Sequence, residues 1–137
     1  MANKVSVFFY GLFMDPQALE ARGFRPTHVG QAYVDDFALQ LGERATLVPA
    51  HGGRVYGMLM KLTHDEVDAL YSEQSVAAYR PEPVVARSSD GSFEPALCFS
   101  LPVVQEKTNT NLEYALALKA VATRMGLPEQ YVAGIGA

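Results

Sequence analysis

Two stretches of the chain carry residue types that can move a proton or hold a developing negative charge. The first is Glu73. It follows the apolar helical turn Leu70-Tyr71 and precedes Gln74-Ser-Val-Ala-Ala-Tyr79, a loop with no other charge. A carboxylate at a helix end, facing apolar and aromatic side chains, can be partly withdrawn from water. Withdrawal favours the protonated form of a carboxyl group and suits it to proton transfer near neutral pH. The same spacing also fits an exposed Glu at a frayed helix end. The second stretch is Tyr10-Gly11-Leu12-Phe13-Met14-Asp15-Pro16. Here a strand runs into a glycine and then a helix start. Successive N–H groups in such a turn point outward and can hold a carboxylate or a developing oxyanion. A plain strand-to-helix turn produces the same pattern, for which glycine is ordinary.

The other candidates are weaker. Asp35-Asp36 reads as a bulge or an edge, Asp90 belongs to a turn, and Glu66 and Glu113 have capping-box spacing. His28, His51 and His64 lie in loops or at a helix start, with no Ser, Cys or Asp at a telling distance. Cys98 sits mid-strand among apolar residues and reads as inert core. Three scattered His and one Cys cannot make a zinc site of the His/Cys kind. There is no Gly-rich loop of the P-loop or dinucleotide type.

Composition narrows the class further. The chain has 137 residues, 49% of them hydrophobic and 19% charged, which permits a packed core. Its net charge of −4 and lack of a Lys/Arg cluster argue against nucleic acid as a partner. One cysteine cannot make an internal disulfide and fits a reducing compartment. The longest apolar stretch, Val5 to Met14, falls well short of the ~20 residues of a membrane-spanning helix. Only Lys4 charges its approach, and Asp15-Pro16-Gln17 follows it rather than a small-residue cleavage site. The expectation is a mature cytoplasmic protein with no membrane partner, the apolar stretch being a buried first strand.

Short elements must position these residues. Lys4–Tyr10 is rich in β-branched and aromatic residues and reads as a core strand. Asp15 as N-cap and Pro16 at the first helical position open a short helix that ends near Gly23. Gln31 to Leu41 is a strand kinked at Asp35-Asp36. Ala45–Val48 and Arg54–Leu62 read as two strands parted by the turn Pro49–Gly53. Gly57, inside the second, suggests a bulge or a close backbone approach. Thr63 with Glu66 is a capping box, and Val67, Leu70 and Tyr71 mark one face of the helix it opens. Tyr79–Arg87 and Ser92–Leu101 flank Ser88-Ser-Asp90-Gly91, a hairpin signal. Thr110 with Glu113 is a second capping box, opening a helix closed by Gly126, and a last helical turn spans Glu129–Ala133. Six or so mostly antiparallel strands and two substantial helices fit a small curled sheet with helices against it.

In order along the chain, these segments resemble the γ-glutamylcyclotransferase-like (AIG2-like) family. Tyr10-Gly11-Leu12-Phe13-Met14-Asp15-Pro16, with Leu19, is similar to its Tyr-Gly-Ser-Leu-Met-Asp-Pro opening. Ala32–Leu39 resembles its second strand, and Ala45-Thr-Leu-Val-Pro49 with Val55-Tyr-Gly57-Met-Leu its next segment. Leu70-Tyr-Ser-Glu73 with Tyr79-Arg80 resembles its Leu-Asp-x-x-Glu-Gly…Tyr-x-Arg motif, and Gly126-Leu127-Pro128-Glu-Gln-Tyr131 its Gly-Leu-Pro-x-x-Tyr ending. The chain departs at Leu12 (Ser or Thr in the family), Tyr71 (Asp), Gln74 (Gly) and Pro81.

The resemblance implies one domain over residues 1–137. Its fold is α+β, a small mixed, mostly antiparallel six-stranded β-barrel with flanking helices. It implies release of 5-oxoproline from a small-molecule γ-glutamyl amide, with no metal and no cofactor. It places the general acid/base at Glu73. It puts substrate against Tyr10, Gly11, Leu12, Phe13, Met14, Tyr79, Arg80 and Tyr131. The alternatives are a protein that binds a small carboxylate ligand without turning it over, and an interaction module that meets a partner through strand edges or its last long helix.

Overall fold

The computed structural model describes residues 3–42, 44–74, 76–101 and 111–135. β1 (Lys4–Phe9) forms as its composition predicts. Its side chains alternate between two cores, as the period of two in a strand requires. Val7 and Phe9 pack with helix residues Leu70, Leu118 and Val121, while Phe8 packs with Val34, Val55, Val84 and Cys98 in the barrel interior. The chain then makes a 3-10 turn over Leu12–Met14, closed by the Met14 N–H donating to the Gly11 carbonyl at 3.1 Å. α1 (Pro16–Glu20) starts from the predicted cap: the Asp15 carboxylate accepts the Gln17 N–H at 2.9 Å, with Pro16 in the first helical position.

β2 (Thr27–Leu41) and β3 (Ala45–Thr63) pair antiparallel along most of their length. In β3 the expectation of two strands fails. Phe37 pairs with Pro49 and Asp35 with Arg54, so residues 50–53 stand opposite Asp36 alone. The predicted turn is a bulge inside one long strand. Asp36 takes φ of 67°, Gly52 takes 78°, and the Asp36 carboxylate accepts the Gly52 N–H at 3.0 Å. His28 and His51, expected in loops, therefore fall within β2 and β3. Gly57 marks a close approach: a Cβ there would lie 2.1 Å from the Phe9 carbonyl oxygen.

α2 (His64–Leu70) carries the Thr63–Glu66 capping box. β4 (Arg80–Arg87) and β5 (Phe93–Ser100) form the predicted hairpin, with Gly91 at φ 88° in its turn. The order β1-β3-β2-β4-β5 closes into a barrel of five strands among the described residues, not six. Its pairs are antiparallel except β1 with β5, which run parallel at Val7 and Leu97. α3 (Leu112–Arg124) is capped by Asn111, whose Oδ1 accepts the Tyr114 N–H at 3.2 Å. Thr110, the cap expected from the sequence, lies outside the described residues. Gly126, at φ 75°, ends α3, and α4 (Glu129–Gly134) follows. Arg124, in the last turn of α3, reaches Asp15 at 2.8 Å and ties that helix to the start of α1.

Candidate active site

A cavity of about 530 Å³ opens at the end of β1, between the barrel and the helices. One wall is the strand-to-helix turn: Tyr10, Gly11, Leu12 and Phe13. The segment after α2 supplies Tyr71, Val76 and Tyr79. β5 adds Phe99, the start of α3 adds Asn111 and Tyr114, and Arg22 and Arg44 complete the lining. Among the described residues no Asp or Glu lines the cavity, so both charged side chains on its wall are cationic.

Glu73 stands beside this cavity and does not line it. Its neighbours Tyr71 and Val76 are in the wall, but its own carboxylate turns to Arg22. The Arg22 Nε donates to Glu73 Oε1 at 2.9 Å, with the two side chains 39% and 34% exposed. Glu73 is therefore half-buried and ion-paired, a wetter setting than the dry one its sequence neighbours suggest. Arg22 is anchored independently of Glu73. Its Nη1 donates to the Ala18 carbonyl at 2.9 Å, and its guanidinium lies 4.9 Å from the centre of the Phe13 ring.

Four tyrosines, Tyr10, Tyr71, Tyr79 and Tyr114, line the cavity. Tyr10 donates to the Phe99 carbonyl at 2.7 Å, and Tyr79 donates to the Ala45 carbonyl. The backbone N–H groups of Leu12 and Ala45 face the Tyr114 oxygen. Burial raises all three phenols above the ordinary tyrosine range, so at neutral pH they are protonated and can donate. The two backbone N–H groups, and after them Arg44, partly offset that rise at Tyr114. Tyr71, partly buried, lies beside them and stacks on Phe99, rings 3.8 Å apart at 12°. Such a pair is worth about 0.5–1.5 kcal/mol beyond its buried area.

The expected cradle of four backbone donors is smaller than the sequence suggested. The Met14 N–H is used inside the 3-10 turn, and the Met14 side chain is wholly buried in the core. The Leu12 N–H already faces Tyr114. Arg80 lies outside the cavity: it is exposed, and its Nη1 donates to the carbonyls of Ala77 at 2.8 Å and Tyr79 at 3.0 Å. Tyr131 also lies elsewhere, packed edge-on against Tyr56 at 5.2 Å. The structure thus brings Tyr10, Gly11, Leu12, Phe13 and Tyr79 together with Glu73 at their side, and leaves Met14, Arg80 and Tyr131 apart. Cys98 is buried in the barrel, where burial pushes its thiol up to about 12. Among the described residues no group of His, Cys, Asp and Glu side chains gathers that could hold a metal ion. No helix among them is long and apolar enough to cross a membrane.

Sequence reasoning missed Arg22, Arg44, Tyr71, Phe99, Asn111 and Tyr114 as cavity residues. One had a usable signal. Arg22 follows Ala18 by four positions, the same face of the helical stretch opened by Asp15-Pro16. Tyr114 and Asn111 showed only capping spacing, and nothing local ties them to Gly11.

A closed five-stranded α+β barrel, with an aromatic cavity at a Tyr-Gly turn and an acid at its side, defines the class. The chain belongs to the gamma-glutamyl cyclotransferase, AIG2-like family, whose model matches residues 7–115. That span contains the Gly11 turn, Glu73 and Tyr114. The structure is similar to one described as a gamma-glutamyl cyclotransferase, with a TM-score of 0.87 and 19% identity over 98% of this chain and 88% of that one. It is also similar to an uncharacterized protein from Homo sapiens, with a TM-score of 0.85 and 19% identity over 98% and 87% of the two chains. A third likeness is YkqA from Bacillus subtilis, with a TM-score of 0.79 and 21% identity over 96% of this chain and 52% of that one. At these identities the likeness establishes the fold. No curated protein sequence matches the chain.

Proposed function

We propose that the protein is a γ-glutamyl cyclotransferase that releases 5-oxoproline from a γ-glutamyl amide, with Glu73 as general acid and base. The observation that carries this reading is the position of Glu73, which lies in sequence between two wall residues and stands beside a cavity that no Asp or Glu lines among the described residues, in a chain of this family. The reaction asks little of a protein. The substrate's α-amine attacks its own γ-carbonyl, and a five-membered ring closes. Holding the substrate folded back supplies about 7–11 kcal/mol in well-oriented intramolecular reactions. Glu73 takes one proton from the α-ammonium, which frees the lone pair that attacks, and returns it to the departing amine as the old C–N bond breaks; the second proton shed by the ring nitrogen leaves to solvent or on the released amine as its ammonium. The developing oxyanion faces the Gly11–Phe13 turn and the Tyr114 hydroxyl, and Tyr10 and Tyr79 wall the ring. Removing one such donor costs about 3–4 kcal/mol in other enzymes.

The test is 5-oxoproline release from a panel of γ-glutamyl amino acids, peptides and amines. Wild-type protein turns over at least one member, and Glu73→Gln lowers that rate at least ~100-fold. Equal rates remove Glu73 from the chemistry. A second reading, a binding protein for a small carboxylate, has one observation in its favour: the charges on the cavity wall are both cationic. Recovery of an unchanged ligand after long incubation supports that reading, and free 5-oxoproline opposes it.

A further inference from the structure

The ion pair at the cavity edge has the charge pattern of an α-amino acid turned inside out. A γ-glutamyl substrate carries an ammonium and a carboxylate on one carbon. The site offers a carboxylate and a guanidinium in direct contact, Glu73 Oε1 and Arg22 Nε at 2.9 Å. A zwitterion entering here can exchange partners with no charge left bare: its carboxylate goes to Arg22, its ammonium to Glu73. Three features favour that exchange. The Arg22–Glu73 contact is a single one between side chains 39% and 34% exposed, and such contacts contribute little. Arg22 keeps its hold on Ala18 and the Phe13 ring when Glu73 leaves. The backbone turn is a poorer seat for a second anion, because the Met14 N–H is used and Tyr114 faces the Leu12 N–H.

Resting on the cyclotransferase reading, we propose that Arg22 is the receptor for the substrate's α-carboxylate. Docking there releases Glu73 from its resting ion pair and leaves it beside the α-ammonium it must deprotonate. Arg22 is then both a specificity residue and the latch on the general base. A compound without the α-carboxylate leaves the latch closed.

The experiment compares a γ-glutamyl amide that wild-type protein turns over with its α-carboxamide analogue, in wild-type, Arg22→Gln and Arg22→Lys proteins. Calorimetric binding of L-glutamine is measured alongside. Wild-type kcat/KM favours the carboxylate by about 100-fold, the scale expected for loss of one charge-assisted contact. Arg22→Gln removes most of that preference, lowering the carboxylate rate because the receptor is gone and raising the carboxamide rate because Glu73 is no longer held, and Arg22→Lys retains part of it. A merely structural role for Arg22 would lower both rates together and leave their ratio intact, which overturns the proposal. L-Glutamine binding that is unaffected by Arg22→Gln overturns it too. Arg22-dependent binding without turnover of any panel member would uphold the receptor and discard the cyclotransferase. Turnover with an unchanged carboxylate preference would do the reverse.

Discussion

Asp15 lies in the Tyr10–Pro16 motif, yet the structure gives it a mechanical task. Its side chain is only 10% exposed and its carboxylate accepts two hydrogen bonds, from the Gln17 N–H at 2.9 Å and from Arg124 at 2.8 Å. Asp15→Ala loses both. An N-cap is worth about 1 kcal/mol. A hydrogen bond to a charged group contributes about 1.5–3 kcal/mol, with the lower end appropriate because Arg124 is 57% exposed and regains water. The loss is therefore about 2–3 kcal/mol, which for a chain of this size lowers Tm by roughly 6–10 °C. Arg124→Ala loses only the pair, and a double-mutant cycle by urea unfolding isolates that term at about 1.5 kcal/mol. The pH dependence has a definite sign. Chiefly the Arg124 hydrogen bond, and then the Gln17 N–H, hold the Asp15 carboxyl below its ordinary range against the opposing effect of burial. A folded-state pKa below the unfolded one stabilises above the unfolded value and loses that stabilisation as pH falls through the folded value. The coupling is thus constant from pH 8 to pH 5 and shrinks below about pH 4. A coupling that grows on acidification, or an Asp15→Ala protein within 0.5 kcal/mol of wild type by the same measurement, would refute this account.

Two further substitutions probe the barrel itself. Gly57→Ala puts a methyl 2.1 Å from the Phe9 carbonyl and 3.0 Å from the Phe8 ring, and backbone cannot give way as a side chain can. We expect a loss of more than ~3 kcal/mol or failure to fold, read from unfolding curves or soluble yield; a stable Gly57→Ala protein would show that β1 and β3 pack less closely than described. Cys98, buried with its thiol pushed up to about 12 by that burial, will resist iodoacetamide at pH 8 in the folded protein and react once urea unfolds it. Rapid labelling of the native protein would contradict its placement.

What could be read from the sequence follows the range of the interactions. β1, the Asp15-Pro16 start, the Thr63–Glu66 box and the Asp90-Gly91 hairpin are decided within a few residues, and each is present. Pro49–Gly53 misled because a hairpin turn and a wide bulge use the same residue types; only the continued pairing of β2 past Asp36 distinguishes them. The site divides in the same way. Tyr10 to Phe13 lie on one continuous turn and could be named together. Tyr114 meets that turn across about a hundred residues of chain, and the Arg22–Glu73 pair joins two segments 51 residues apart. Neither has a local signature, because neither partner's backbone conformation depends on the other.

Gly11 is held to glycine by packing rather than by its backbone. Gly11 has φ −107° and ψ −154°, extended values that other residues adopt. What it supplies is room. A Cβ on Gly11 would stand 3.1 Å from the Tyr114 hydroxyl oxygen, closer than comfortable contact, and that oxygen faces the N–H groups of Leu12 and Ala45. It cannot retreat without giving up those partners. In Gly11→Ala the hydroxyl moves by a few tenths of an ångström, and the weakened hydrogen bonding costs about 1 kcal/mol. Tyr114→Phe alone leaves the two N–H groups without that partner and costs about 1–2 kcal/mol. In the double variant the clash is gone, so Gly11→Ala should be close to neutral in the Phe background. The cycle is read from unfolding midpoints and, where the protein turns over a γ-glutamyl amide, from kcat. If Gly11→Ala costs the same in both backgrounds, the hydroxyl is not what the glycine makes room for. The Tyr-Gly pair would then serve the backbone after all.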